Sequence, residues 1–140
     1  MMNNRTNEKT GMKSYVLYLI PAFVIIIILV LLWTVLLLGY VPSESMEPTL
    51  ERDSYIIGNR LYRDIEVGDI IIFEHEGTIM VKRVAACAGD MVMVNGQSQP
   101  VPSNCYYVLG DNSENSYDSR YWEQPFIDAS QVKAKVIIYK

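Results

Sequence analysis

The sequence is poor in metal-binding and redox side chains: its 140 residues include one histidine and two isolated cysteines. That falls short of the usual zinc ligand sets, so neither a metal nor a cofactor is expected. It has no glycine-rich phosphate loop, no internal repeat and no low-complexity tract. Acidic residues outnumber basic ones after the first forty positions. Residues 42–140 hold nine of the twelve Lys/Arg but fifteen of the sixteen Asp/Glu, a net of −6. Nucleic-acid binding rests on neutralising phosphates and is excluded as a partner class by that balance. A basic patch gripping anionic lipid is excluded on the same ground. A Ser–His pair would have to use His75, which sits in Phe73-Glu74-His75-Glu76-Gly77 and is expected as a solvated turn residue.

Charge is missing altogether from residues 15–41, a 27-residue stretch without Asp, Glu, Lys, Arg or His. As a helix rising ~1.5 Å per residue it is about 40 Å long, enough to cross a hydrocarbon core of roughly 30 Å. Cleaved secretory signals have an apolar region of only about 7–15 residues and a small-x-small site after it. This run is longer and ends in Leu38-Gly39-Tyr40-Val41-Pro42, so it reads as a retained anchor. Arg5, Lys9 and Lys13 precede it, whereas the first basic residue after it is Arg52. Lys and Arg favour the cytoplasmic side. The expected order is therefore a cytoplasmic segment 1–14, a single transmembrane helix 15–41 in the cell membrane, and an extracytoplasmic domain 42–140.

Beyond the membrane the apolar runs are short and rich in β-branched residues, at 54–58, 69–73, 78–87, 91–94, 106–109 and 132–139. Gly-Asp, Glu-Gly and Asn-Gly pairs separate them, and Asn95-Gly96 suits a tight hairpin because both residues tolerate positive φ. No sustained helical period occurs there. The fold class is mainly β: one N-terminal transmembrane helix followed by a compact antiparallel β domain.

Three segments carry candidate chemistry. Pro42-Ser43-Glu44-Ser45-Met46-Glu47-Pro48-Thr49-Leu50 is constrained by its prolines, although a Ser/Pro linker has the same composition. In Thr78-Ile79-Met80-Val81-Lys82-Arg83-Val84-Ala85, alternation puts Lys82 between Met80 and Val84 on one strand face. An edge-strand lysine or one that reaches to water fits that pattern. So does a general base, because burial favours the neutral amine that a serine nucleophile needs. The polar run 107–122 contains Asp118 and Arg120, spaced to pair or to orient other groups, within what composition alone reads as a surface loop.

Together these segments resemble the bacterial type I signal peptidases. Ser43-Glu44-Ser45-Met46-Glu47-Pro48-Thr49 is similar to that family's S-x-S-M-x-P-T box, and Gly68-Asp69-Ile70-Ile71-Ile72-Phe73 to its G-D-hydrophobic-F box. Val81-Lys82-Arg83-Val84 with Gly89-Asp90 resembles the K-R box. Gly110-Asp111-Asn112 with Ser116-Tyr117-Asp118-Ser119-Arg120 resembles the G-D-N…S-x-D-S-R box. The four occur in the family's order. The resemblance implies a membrane-bound serine endopeptidase that removes signal peptides from exported preproteins after an Ala-x-Ala site. It implies Ser45 as nucleophile, Lys82 as base, the Ser45 N–H and Ser43 hydroxyl as oxyanion hole, and Ser116 bonded to Lys82. Asp118 and Arg120 would brace the site. The implied partners are signal peptides and the lipid bilayer, with no obligate protein partner.

The chain departs from the family pattern at Cys87-Ala88, where proline is common, and at Ser113, where arginine is frequent. Larger members insert a second β-domain between the K-R and G-D-N boxes. Only 26 residues separate Arg83 from Gly110, so none is expected here. Self-cleaving repressor peptidases share the Ser–Lys chemistry, but they need a DNA-binding domain where this chain has an apolar run. A non-catalytic membrane-tethered β-module is the reading from another class. Cys87 and Cys105 enclose 17 residues; a disulfide and two free thiols both remain open, since pairing is not readable from spacing.

Overall fold

The computed structural model describes residues 5–139. Helix α1 spans Arg5–Val35 and contains Pro21. Its portion Leu17–Val35 is long and apolar enough to cross a membrane. Nineteen residues at ~1.5 Å each give about 28 Å, close to the thickness of a hydrocarbon core. Apolar side chains project all around this portion, and Trp33 is 80% exposed. A helix without a polar face suits lipid rather than water.

The helix stops short of the expected boundary at Val41. Leu36–Tyr40 instead form strand β1, paired antiparallel with β2 (Tyr55–Asn59) from Leu36↔Asn59 to Tyr40↔Tyr55. An apolar run without periodicity does not separate helix from buried strand; here the partner strand decides. Gly39 permits the pairing, because a Cβ there would lie 2.9 Å from the Ile56 side chain.

The remaining strands are β3 (Ile70–His75), β4 (Thr78–Cys87), β5 (Met91–Val94), β6 (Gln97–Pro100), β7 (Cys105–Leu109), β8 (Phe126–Asp128) and β9 (Val132–Tyr139). Seven form one antiparallel sheet in the order β1-β2-β9-β3-β4-β7-β8. β3 lies at its centre, and Ile70, Ile71, Ile72 and Phe73 are all buried. Ile70 and Ile72 enter a core with Met46, Leu50 and Ile56. Ile71 and Phe73 enter a second core with Val84, Val108 and Trp122. A strand covered on both faces accounts for the unbroken Ile-Ile-Ile-Phe run.

The β3–β4 and β5–β6 hairpins turn on Glu76-Gly77 and Asn95-Gly96, with all four residues at positive φ, the geometry that two-residue hairpins need. The β5–β6 hairpin occupies the interval between Arg83 and Gly110, and no second β-domain is present there.

His75 is not a solvated turn residue. β3 runs two residues past Phe73, and the strand period returns position 75 to the face of Ile71 and Phe73. Its ring is 5% exposed and stacks on Trp122 with centroids 4.1 Å apart. The cysteines are free thiols. Cys87 packs with Tyr106 against the second core, whereas Cys105 joins Tyr107 in a third cluster. Neighbouring β7 residues face opposite ways, so the sheet lies between the two sulfurs.

Gly58 is crowded, since a Cβ there would lie 2.8 Å from Ala134 Cβ and 3.0 Å from Ile72 Cδ1. Gly58→Ala is expected to lower stability by about 1–3 kcal/mol through overpacking, seen as a lower urea midpoint with an unchanged m-value.

Candidate active site

Ser45 is carried by a one-turn 3₁₀ helix, Glu44–Met46, in which the Glu47 N–H closes onto the Glu44 carbonyl at 3.1 Å. The turn is anchored by burial of Met46 and, just after it, Leu50, each 1% exposed. Glu47 is extended (φ −66°, ψ 147°), as the following proline requires. Ser45 itself is 7% exposed.

Lys82 approaches from β4, paired across from Ile71, and is 5% exposed. Its Nζ donates to Ser45 Oγ at 2.5 Å. Ser43 Oγ lies 3.2 Å from the same hydroxyl. Burial pulls the Lys82 pKa below the ordinary lysine value; the negative field of Asp118 opposes this, Arg120 adds to it and Asp111 opposes it. Lys82 makes no ion pair among the described residues.

The run 107–122, read from composition as a surface loop, buries Ser116, Asp118 and Ser119 in a polar cluster while Ser113, Glu114, Asn115 and Tyr117 stay exposed. Asp118 is fully buried. Its carboxylate accepts from Arg120 Nε (2.8 Å), Arg120 Nη2 (2.9 Å), the Gly110 N–H (2.9 Å) and the Ser116 hydroxyl (2.7 Å). Burial alone would raise its pKa, but the bonds from Arg120, Gly110 and Ser116 outweigh that and hold it below the usual carboxylate range. The expected Ser116–Lys82 bond is not formed. The Ser116 hydroxyl donates instead to Asp118, an ionised acceptor two residues away, and charge-assisted bonds are the stronger kind.

Two contributors had no assigned role in the sequence reading. Arg83 leaves β4 on the face opposite Lys82. It grips Asp111 through Nε (2.8 Å) and Nη2 (2.6 Å), and its Nη1 donates to the Gly68 carbonyl (2.6 Å). Asn112 bonds the serine turn itself, its N–H to the Ser45 carbonyl and its Nδ2 to the Glu44 carbonyl, each at 3.1 Å. Gly110 permits that approach, since a Cβ there would collide with the Ser45 carbonyl and with Ser116 Oγ. Their positions in the G-D-N and K-R boxes were visible in sequence; their partners, 28 to 68 residues away, were not.

A groove of about 600 Å³ has Ser45 and Lys82 in its wall, beside the β1 residues 37–40 and the β4 residues 78–82. Among the described residues β1 pairs only with β2, and β7 joins β4 only from Arg83 onward. The groove is thus bordered by two strand edges with unpaired backbone. A hydroxyl bonded to a desolvated amine, at such a groove, can attack a carbonyl. Among the described residues no group of His, Cys, Asp and Glu is arranged to hold a metal ion.

The model of the signal peptidase, peptidase S26 family matches residues 12–98 and 92–139. The probable signal peptidase I-2 of Synechocystis sp. is 37% identical, the match taking in 59% of this chain and 54% of that protein. The chain therefore spans about half that relative's length. Signal peptidase I of Bacillus amyloliquefaciens is 33% identical over an alignment of 151 positions, covering 81% of this chain and 82% of the relative. That alignment exceeds 140 positions, so the relative carries residues that this chain lacks. The inactive signal peptidase IA of Staphylococcus aureus is 28% identical, with 78% and 83% covered. With the family model extending over nearly the whole chain, from the apolar helix through the last strand, this protein belongs to the signal peptidase family, peptidase S26.

Proposed function

We propose that this protein is a membrane-bound type I signal peptidase in which Ser45 is the nucleophile and Lys82 the general base. The observation that carries the reading is the 2.5 Å bond between Lys82 Nζ and Ser45 Oγ at the groove wall. A neutral Lys82 takes the serine proton as Oγ adds to the scissile carbonyl, then returns it to the leaving amine. The Ser45 N–H and Ser43 hydroxyl receive the oxyanion. Water then releases the acyl group from Ser45. Residues 17–35 anchor the chain in the cell membrane, residues 1–14 are cytoplasmic, and residues 36–140 form the extracytoplasmic catalytic domain. The substrates are exported preproteins cut after Ala-x-Ala. An extended substrate segment would complete the unpaired edges of β1 and β4, using main-chain hydrogen bonds for grip. The non-catalytic alternative finds a parallel in the staphylococcal relative named inactive; the intact Ser45–Lys82 pair favours activity here.

Purified protein in detergent is expected to cleave a preprotein after Ala-x-Ala. Ser45→Ala and Lys82→Ala should each lower kcat/KM by on the order of 10⁴-fold or more; retained cleavage in Lys82→Ala would refute the assigned base. The pH profile should show an acid limb, with activity lost as Lys82 becomes protonated. Its midpoint should lie below the ordinary lysine value of about 10.4, because burial disfavours the charged form.

Asp118→Ala should destabilise the domain by about 2–3 kcal/mol, less than for a wholly buried pair because Arg120 is 30% exposed. The carboxylate's pKa is depressed on folding, so its contribution is complete above about pH 4–5 and lost as pH falls below the unfolded value near 3.9. The gap in urea midpoints between wild type and variant should accordingly narrow toward pH 3.

A further inference from the structure

The two carbonyls bonded by Asn112 belong to the peptide groups on either side of Ser45. A trans peptide group is planar, with its C=O and N–H pointing in opposite directions. The Glu44 carbonyl shares a plane with the Ser45 N–H. Holding that carbonyl toward Asn112 Nδ2 therefore aims the Ser45 N–H away from Asn112. The bond from the Asn112 N–H to the Ser45 carbonyl fixes the next plane, which continues into Met46. One residue thus sets the orientation of both peptide groups flanking the nucleophile. Glu47 N–H also bonds the Glu44 carbonyl at 3.1 Å, but it lies within the turn and tightens the turn without orienting it against the sheet. Asn112 supplies the long-range reference, reaching across 68 positions from the end of β7. The absence of a Cβ at Gly110 is what brings this loop against the Ser45 carbonyl.

We infer that Asn112 is a positioning residue that aims the Ser45 N–H at the developing oxyanion, an assignment that rests on the peptidase reading above. It acts through the Glu44–Ser45 peptide plane and touches neither the substrate nor Lys82. Its amide is a neutral donor, so it fixes the plane without placing another charge beside the lysine amine. The main-chain bond is independent of the side chain. Asn112→Asp therefore keeps the loop attached while turning an oxygen toward the Glu44 carbonyl.

The test uses the full-length protein in detergent, comparing Asn112→Ala and Asn112→Asp with wild type on an Ala-x-Ala peptide. A misaimed oxyanion donor should cost somewhat less than a deleted one, so kcat is expected to fall about 10–100-fold. KM should stay within about threefold, because ground-state binding is untouched. A peptide aldehyde ending at the same alanine provides the second readout. Ser45 Oγ bonds its carbonyl carbon, the π pair moves to the carbonyl oxygen, and the serine proton passes to Lys82. Affinity for this tetrahedral adduct should fall by the same factor as kcat/KM, while affinity for the carboxylate product peptide should not change. Equal weakening of aldehyde and product, unchanged kcat in both variants, or a kcat loss matched by a fall in melting temperature would each overturn the assignment. Wild-type cleavage that is lost in Ser45→Ala supports the peptidase reading whichever way the Asn112 variants behave. A wild type that does not cleave overturns both.

Discussion

A lysine ammonium buried without an anionic partner is unstable, and the arrangement around Lys82 exploits that instability. Two carboxylates lie close enough to influence it, Asp118 and Asp111. Each is already held by a two-pronged arginine contact, Asp118 by Arg120 and Asp111 by Arg83. With their acceptor oxygens occupied, neither pairs directly with the amine. Among the described residues, the one side-chain hydrogen bond from Lys82 goes to a neutral hydroxyl, Ser45 Oγ. Desolvation is thus left as the leading influence on Lys82, and its pKa moves down. Had either carboxylate been free to bond Nζ, its negative charge would have favoured the ammonium and opposed the effect of burial.

The two Arg–Asp pairs also hold the domain together at its site. Arg83 joins the strand bearing Lys82 to the loop bearing Asp111 and to the Gly68 carbonyl ahead of β3. Asp118 ties the Gly110 N–H, Ser116 and Arg120 into one buried unit. Asn112 then links that loop to the serine turn. The four sequence boxes are thereby tied together by hydrogen bonds in a sheet whose strand order brings β3, β4 and β7 side by side.

Much of this was legible beforehand. Strands β4, β5 and β9 begin and end where the apolar runs do, and the Asn95-Gly96 turn has the expected backbone. The misread residues were decided by their contacts. Leu36, Leu37 and Leu38 look helical because they continue an apolar run, but the partner strand β2 claims them. His75 looks exposed because its neighbours in sequence are charged, but strand periodicity and the Trp122 ring bury it. Ser116 stands in the expected box yet serves Asp118 rather than Lys82. For the leucines and His75 a residue distant in the chain determined the outcome; for Ser116 it was an aspartate two residues away, itself fixed by burial.

The sequence by itself determined the class of the molecule: an uncharged apolar segment long enough to cross a membrane, an acidic β domain, and a serine and a lysine in motifs of one peptidase family. Those properties reside in composition, period and order along the chain. Only the tertiary structure decided that Lys82 reaches Ser45, that arginines rather than the lysine hold the nearby carboxylates, and that Asn112 bonds the carbonyls of Glu44 and Ser45. Hydrogen bonds and desolvation act through space over a few ångströms, and the 37 positions from Ser45 to Lys82 leave that distance undefined until the sheet forms.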